Sequence, residues 1–327
     1  MDKYLLGFDI GGTKCAVILG RADCDSPSCL FVDKLKFQTD AKRGWRSVLE
    51  ELFSSAESLL RDHSLTRYDL KSIGISCGGP LDGKAGVIMS PPNLPDWDNV
   101  PIISLTEERF QVPVFLANDA DACAVAEWRF GAGRGCDNMI FLTFGTGMGA
   151  GLILNGSLYT GATNTAGEVG HIRLSDSGPL GYGKHGSFEG YCSGGGIADA
   201  ARSAAKEAIK ADRAPSFCKK LEDLDAVTAK SVADAADSGD PLALEIYRKS
   251  GEYLGRGLSV LIDVLNPEMI VIGSIYARSE NLLAEAMLRT VKTESLPVSA
   301  AACRIVPAAL GERIGDFAAL GVAEMKR

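Results

Sequence analysis

The sequence predicts an α/β protein built from two related domains, and two observations carry this prediction. Apolar runs of strand length alternate along the chain with segments whose apolar residues follow helical spacing. A glycine-rich turn between two apolar runs occurs twice, as DIGGTKCAVIL at 9–19 and as TFGTGMGAGLIL at 143–154, and an offset of 134 residues places Gly11 on Gly145. Such a repeat suggests a duplicated domain with a ligand held between the copies.

The first part of the chain alternates strands and helices. Short apolar runs predict strands over 4–8, 15–19, 30–38, 70–76 and 112–117. Helical spacing predicts helices over 45–60, over 104–110 and from 119 to about 130. The segment 90–102 carries four prolines and is expected to form an irregular surface loop. The strand over 112–117 ends at Asn118 and Asp119, the kind of position where ligands of open α/β sheets bind.

The second part begins with the repeated hairpin at 139–155. The glycine-rich stretch 160–195 has little periodicity and is expected to be one long, functional loop. Helices are predicted over 196–211, 228–237, 241–265, 281–292 and 316–325, and strands over 269–272 and 304–307. The strand over 269–272 ends at Gly273 and Ser274.

Composition restricts the function classes. The chain has 327 residues, 46% of them hydrophobic, and a net charge of −8, which suits a soluble globular protein of two domains and argues against nucleic acid as a partner. The N-terminus lacks the pattern of a signal peptide and no apolar run approaches membrane length, so we expect a cytoplasmic protein without membrane contact. The nine cysteines are odd in number and scattered, which predicts reduced thiols, with Cys24 and Cys29 in an ordinary loop and not a redox pair.

The two glycine turns are candidate phosphate cradles. Glycine permits close backbone approach, and backbone amides together with the hydroxyls of Thr13 and Thr146 can donate to phosphate oxygens. Neither turn has Walker A spacing, and two ordinary hairpin turns are the alternative interpretation. Asp9 ends the strand before the first turn, where a carboxylate would repel phosphate unless Mg²⁺ lies between them. A turn-capping role for Asp9 stays open.

Other polar residues are candidates for binding a hydroxyl substrate. Asp119 could serve as a general base toward an alcohol in phosphoryl transfer, and a helix N-cap is the structural alternative. In GEVGH at 167–171, Glu168 and His171 are three residues apart and could both hydrogen-bond a polyol, or be ordinary surface residues. Glu189 is a third acidic candidate.

Together these motifs resemble the ROK family of bacterial sugar kinases, sugar-responsive repressors and unassigned reading frames. The resemblance rests on DIGGTK, the PPNLPDWDNVPI loop, the Asn-Asp pair, FGTGMGAG and GEVGH, and it covers essentially the whole chain. It implies two duplicated ribonuclease-H-like domains of the actin-like ATPase superfamily, with a nucleotide and sugar cleft between them. We expect one domain over 1–118, completed by the C-terminal helix 315–327, and a second over 119–314.

The resemblance also implies roles for individual residues. Asp119 corresponds to the general base, and the sugar ligands correspond to Gly79, Asn118, Asp119, Glu168, His171 and Glu189. The ATP side corresponds to Asp9, Gly11, Gly12, Thr13, Lys14, Gly145, Thr146 and Gly147, with Gly273 and Ser274 near the adenosine. Asp9 would hold Mg²⁺ through water, and we expect a homodimer.

The chain departs from the family pattern at two places. Many members carry a zinc motif, C-x-C-G-x-x-G-C-x-E, after the Gly-His pair, but here its cysteine positions hold Leu180, Tyr182 and Ser187. We therefore predict no structural zinc, and a hydrogen bond that orients His171 in place of a metal. Gly78 stands where the family usually has proline, so we expect a different shape of the sugar loop.

The expected function is ATP-dependent phosphorylation of a hydroxyl of a hexose or an N-acetylhexosamine. The alternative is a non-catalytic sugar-sensing regulator or sugar-binding protein of the same family. Family repressors carry an added N-terminal helix-turn-helix segment, and only eight residues precede Asp9, so the regulator is disfavoured.

Overall fold

The computed structural model describes residues 3–24 and 26–325. Its strands are, in chain order, β1 (Tyr4–Ile10), β2 (Lys14–Arg21), β3 (Phe31–Gln38), β4 (Leu70–Cys77), β5 (Leu81–Asp82), β6 (Val87–Ile88), β7 (Val114–Asn118), β8 (Met139–Phe144), β9 (Met148–Leu154), β10 (Ser157–Tyr159), β11 (Leu180–Gly181), β12 (Lys184–His185), β13 (Met269–Ile272) and β14 (Arg304–Pro307).

The helices are α1 (Pro27–Leu30), α2 (Trp45–Asp62), α3 (Ile102–Phe110), α4 (Asp119–Phe130), α5 (Phe188–Cys192), α6 (Gly194–Lys210), α7 (Ala229–Asp237), α8 (Pro241–Leu265), α9 (Ile275–Glu294), α10 (Pro297–Ala302) and α11 (Ile314–Ala323). Short 3₁₀ turns cover Ala41–Arg43, Arg67–Asp69, Val169–His171, Leu221–Ala226 and Gly311–Arg313.

The chain forms two compact units, and neither is a continuous segment. The first unit holds the residues up to Asp137, Gly151–Ala166 and those from Ala309 onward. The second holds Asn138–Ala150 and Gly167–Ala308. The expected boundary between residues 118 and 119 lies inside the first unit, because α4 stays with β7. Arg129 of α4 pairs with Glu324 just after α11, and the Glu127 carboxylate accepts a hydrogen bond from the Leu310 amide at 2.9 Å.

The sheet of the first unit has the strand order β3-β2-β1-β4-β7. Strands β1, β4 and β7 are parallel, with Ile10 beside Cys77 and Cys77 beside Asn118. Alternate residues of β1 enter two apolar clusters: Phe8 packs on the side of α2, and Leu5 packs on the side of α11. Burial of both sheet faces explains why these strands are continuous apolar runs in the sequence.

The second sheet has the order β10-β9-β8-β13-β14, and the division between the units falls within β9. Strands β8, β13 and β14 are parallel, with Leu142 beside Ile272. In the second unit α8 packs closely against α9. A Cβ added at Gly255 would come within 2.6 Å of the Met287 carbonyl oxygen, so glycine is what permits this approach.

Three local expectations differ from the structure. The stretch 160–195 is not one irregular loop, since it contains β11, β12, α5 and the turn Val169–His171. Helix α9 begins at Ile275, six residues before the predicted helix at 281, and is kinked at Ser279. Cys24 and Cys29 form a disulfide, which corrects the expectation of reduced thiols throughout, because Ser26 caps the short helix α1 and the turn brings the two cysteines together.

Candidate functional site

The first glycine turn joins β1 to β2 within the first unit. The Gly11 amide donates to the Lys14 carbonyl oxygen at 3.1 Å, while Thr13 and Lys14 are exposed. A Cβ added at Gly12 would clash with the carbonyl oxygen of Asn93, in the proline-rich loop. This close approach is the physical reason for glycine at position 12. The exposed side chains of Thr13 and Lys14 remain accessible to a ligand.

Asp9 precedes this turn and lies in a charged cluster of the first unit. Lys34 forms an ion pair with the buried Asp316 at the start of α11, on the same side of the sheet. Burial raises the pKa of the Asp9 carboxyl to about 6, with Lys34 opposing and Asp316 and Asp119 adding to the rise. A carboxylate that is costly to ionise is stabilised by a cation, so Asp9 suits a place beside Mg²⁺.

Asn118 and Asp119 lie where β7 ends and α4 begins. The helix N-cap is Asn118, whose Oδ1 accepts from the Asp121 amide at 2.8 Å. Asp119 is the first helical residue, and its Oδ1 accepts from the Ala120 amide at 2.9 Å. Asp119 is accessible to solvent on one side, but protein atoms lie close around the rest of its carboxyl group. The resulting desolvation raises the pKa of Asp119. The capping alternative therefore belongs to Asn118 and leaves Asp119 free for another task.

Gly79 follows β4 and is exposed, with no atom closer to an added Cβ than the Leu81 amide nitrogen at 4.0 Å. Because Ile10, Cys77 and Asn118 lie side by side in parallel strands, the segments that follow these strands share one edge of the sheet. The first unit thus brings the predicted residues from Asp9 to Lys14, together with Gly79, Asn118 and Asp119, to a single edge.

The second glycine turn, between β8 and β9, is held by backbone partners in the second unit. The Gly194 amide donates to the Gly145 carbonyl oxygen at 2.7 Å, and the Gly195 amide donates to that of Thr146 at 3.2 Å. The Glu189 carboxylate accepts from the Met148 amide at 3.0 Å. The start of α6 and one predicted sugar ligand therefore fix this turn while the Thr146 side chain stays exposed.

A cavity of about 740 Å³ opens beside this turn, entirely within the second unit. Its wall includes Gly145, Thr146, Gly194, Gly195, Ser274, Ile275 and the cationic side chains of Arg202, Lys230 and Arg278. Asp234 and Asp237 also line the cavity, and Lys230 pairs with Asp234, so the size and the exposed backbone are the features that fit a nucleotide. Gly273 directly precedes Ser274, and a Cβ added to it would come within 3.0 Å of the Phe141 ring.

Glu168 and His171 flank one 3₁₀ turn, in which the His171 amide donates to the Glu168 carbonyl oxygen at 3.2 Å. Glu168 is the N-cap of this turn and is exposed, whereas His171 is its last residue and is half-buried. The turn packs closely on β9, because a Cβ at Gly170 would clash with the Met148 carbonyl oxygen and come within 3.2 Å of the Glu189 Cβ. The second unit thus brings Glu168, His171 and Glu189 together beside the glycine turn.

The expected hydrogen bond that orients His171 is not what the structure contains. Within residues 3–24 and 26–325, neither ring nitrogen bonds to protein, and the ring packs against Tyr182 with 4.4 Å between ring centroids. Sequence reasoning treated Tyr182 only as a missing cysteine, and it did not single out Lys34 or Asp316. A tyrosine between two glycines at 181–183 was the available signal for the first.

Two kinds of feature are absent from the described part of the chain. No group of three or more His, Cys, Asp and Glu side chains there is arranged to hold a metal ion. None of the helices there combines the length and apolar character needed to cross a bilayer. The absence of a structural zinc remains a prediction.

The family model "ROK family" matches residues 5–325. The chain belongs to the ROK family. It is 31% identical over 318 residues to a glucokinase of Halalkalibacterium halodurans, covering 96% of this chain and 93% of that protein. A structure of a ROK family glucokinase from Streptomyces griseus in complex with glucose and AMPPNP aligns with a TM-score of 0.71 and 27% identity over 99% of both chains. The two units are thus duplicated domains of the actin-like ATPase fold, and the predicted fold class is confirmed.

ROK proteins are not all kinases. The chain is also 30% identical over 280 residues to NagC of Escherichia coli, a DNA-binding transcriptional dual regulator, covering 85% of this chain and 66% of that protein. Membership in the ROK family is therefore compatible with both catalytic and regulatory roles, and the choice rests on the site.

Proposed function

We propose that this ROK protein is an ATP-dependent kinase that phosphorylates a hydroxyl of a hexose or an N-acetylhexosamine in the cytoplasm. The observation that carries the proposal is Asp119: its pKa is raised, its side chain is open to solvent, and the neighbouring Asn118 performs the capping that would otherwise occupy it. A carboxylate with a raised pKa is the better general base near neutral pH.

In the proposed reaction, Asp119 accepts the proton of the sugar hydroxyl. The hydroxyl oxygen forms a bond to the γ-phosphorus while the bond from that phosphorus to the bridging oxygen of ADP breaks. Asn118, Gly79, Glu168, His171 and Glu189 hold the sugar so that one hydroxyl meets Asp119. Such positioning is the main contribution of protein in phosphoryl transfer.

The nucleotide side is supported by the two glycine turns and the cavity of the second unit. Backbone amides of both turns and the hydroxyls of Thr13 and Thr146 would donate to phosphate oxygens. Ser274, which lines the cavity, would lie near the adenosine. Asp9 would hold Mg²⁺, in part through water, and the ion when bound neutralises phosphate charge. Glucokinase relatives, one of them in complex with AMPPNP, support ATP as the donor.

The test is ADP release by the purified protein with ATP and Mg²⁺ and a panel of hexoses, amino sugars and N-acetylated sugars. We expect one sugar class to stimulate release strongly, and Asp119→Asn to remove that stimulation while sugar binding persists. The similarity to NagC makes a regulator the second candidate. A protein that binds a sugar in calorimetry but releases no ADP with any of them would be that regulator.

A further inference from the structure

A small hairpin follows His171 in the second unit and returns to it. Strands β11 and β12 pair Leu180 with His185 and Gly181 with Lys184, which leaves Tyr182 and Gly183 as a two-residue turn. The segment after His171 carries this hairpin, since the Leu174 amide donates to the Gly186 carbonyl oxygen at 2.8 Å.

Two residues of the hairpin touch His171, one at its ring and one at its backbone. The Tyr182 ring lies on the imidazole with 4.4 Å between centroids and a 58° angle between the planes. The Lys184 ammonium donates to the His171 carbonyl oxygen at 2.6 Å. This carbonyl ends a 3₁₀ turn, where a cation is electrostatically favourable.

The backbone conformation at position 182 does not favour tyrosine. Its φ is 54° and that of Gly183 is 71°, the pattern of a type I′ turn, which favours Asn, Asp or Gly at the first position. Burial does not explain the residue either, because Tyr182 is 71% exposed. The contact with His171 is the feature of this position that depends on an aromatic ring.

The base of the hairpin is anchored, so Tyr182 has a defined place relative to His171. The Gly186 amide donates to the Pro179 carbonyl oxygen at 2.9 Å, and the Phe188 amide donates to that of Ile172 at 2.8 Å. Ser187 is buried, and its hydroxyl donates a hydrogen bond to the Gly181 carbonyl oxygen at 3.3 Å. These bonds tie both ends of the hairpin to the segment that begins at His171.

We propose that Tyr182 and Lys184 are positioning residues that hold the His171 imidazole in the orientation that binds the sugar. The inference rests on the proposed function, in which His171 is a sugar ligand. Since Tyr182 restrains the half-buried ring from one side, the nitrogens remain available to a hydroxyl. The restraint acts on ground-state binding and leaves the proton transfer at Asp119 unchanged.

The experiment compares Tyr182→Ala, Tyr182→Phe and Lys184→Met, with Tyr68→Ala as the control because Tyr68 is 74% exposed and lies in the other unit. The first measurement is the NMR spectrum of the His171 ring without sugar. We expect Tyr182→Ala to displace the His171 resonances through loss of the ring current, and Tyr182→Phe and Tyr68→Ala to leave them in place. Unmoved resonances in Tyr182→Ala overturn the proposal.

The second measurement is sugar binding, by calorimetry and by steady-state kinetics. We expect Tyr182→Ala to weaken sugar affinity and raise KM by about tenfold, the effect of one lost hydrogen bond, with kcat within about twofold. Tyr182→Phe should restore wild-type affinity, and Lys184→Met should show a smaller loss than Tyr182→Ala. Unchanged affinity in Tyr182→Ala, or a loss of kcat in its place, overturns the proposal.

The proposed kinase activity and the proposed positioning role of Tyr182 and Lys184 can be contradicted separately. A wild-type protein that binds a sugar without phosphorylating it overturns the kinase, while the affinity of Tyr182→Ala still decides the role of the hairpin. A wild-type protein that binds no sugar overturns both.

Discussion

The two glycine turns share a backbone plan but differ in the residue two positions before the first glycine. In the first unit this residue is Asp9, a half-buried carboxylate with a raised pKa. In the second it is Thr143, whose neutral hydroxyl accepts from the Gly149 amide at 2.9 Å. Both glycine turns are thus retained, but only the first is preceded by a carboxylate. Under the proposed function, the acid-base and cation chemistry would therefore lie in the first unit, and the residues of the second unit would serve binding alone.

The largest expected effect tests this division through the carboxylates. Asp119→Asn keeps the shape but cannot accept a proton, so we expect kcat to fall by about 10²–10⁴-fold. Glu168→Gln, in the second unit, should raise the sugar KM more than it lowers kcat, because its role is to hold a hydroxyl. Steady-state kinetics measures both, with the exposed Asp62→Asn as a control for a neutralised carboxylate. Intact sugar affinity with lost turnover in Glu168→Gln would make Glu168 catalytic and break the comparison.

The next effect separates how the two turns are packed. A Cβ at Gly12 would clash with the Asn93 backbone, so Gly12→Ala should lower the free energy of unfolding by about 1–3 kcal/mol. A Cβ at Gly145 meets no atom within 4 Å, so Gly145→Ala should leave stability within about 0.5 kcal/mol. Gly145 lines the cavity that we propose for the nucleotide, and the added methyl group of Gly145→Ala should therefore raise the KM for ATP. Urea denaturation and ATP titration check the pair, and equal destabilisation by the two variants would contradict it.

The third effect concerns pH. The Asp9 carboxyl has a pKa of about 6 when folded against an ordinary value of 3.8, so between these pH values the native state holds a proton that the unfolded state releases. Stability should therefore fall as pH rises from about 4 to 6, and ionised Asp9 should cost about 1–3 kcal/mol above that range. Asp9→Asn removes this cost.

Denaturation without Mg²⁺ should find Asp9→Asn more stable than wild type at pH 7.5, with the difference vanishing near pH 4. The same substitution should raise the Mg²⁺ concentration needed for activity. A variant that is less stable than wild type at pH 7.5 would show that Lys34 outweighs desolvation at this site.

The smallest effect belongs to the neutral copy. Thr143→Val leaves the Gly149 amide without its hydroxyl partner and should cost about 0.5–1.5 kcal/mol. Because no charge is involved, this loss should be the same at pH 5 and pH 8 when measured by denaturation. A marked pH dependence of the loss would contradict this expectation.

The parts of the fold and of the candidate site that depend on local sequence pattern could be predicted. The strands around both glycine turns are apolar on both faces, and Asp9, Asn118 and Glu168 follow recognisable motifs. The hairpin of β11 and β12 has two-residue strands held by bonds to Pro179 and His171, so no periodicity announces it. The pair of Lys34 and Asp316 joins residues 282 positions apart, which no local pattern encodes. The unit boundary escaped prediction for the same reason, since it depends on α4 pairing with residues near the C-terminus.

The placement of α11 has a consequence for how the protein is made. This helix lies directly on the first sheet, where a Cβ at Gly74 would clash with the Ala319 carbonyl oxygen, and its Phe317 and Leu320 belong to one of the two apolar clusters. During synthesis β1, β2 and β4 leave the ribosome long before the residues that cover them. The part of this sheet face that α11 covers therefore stays exposed until α11 has been synthesised, and we expect the nascent chain to be prone to aggregation over that interval.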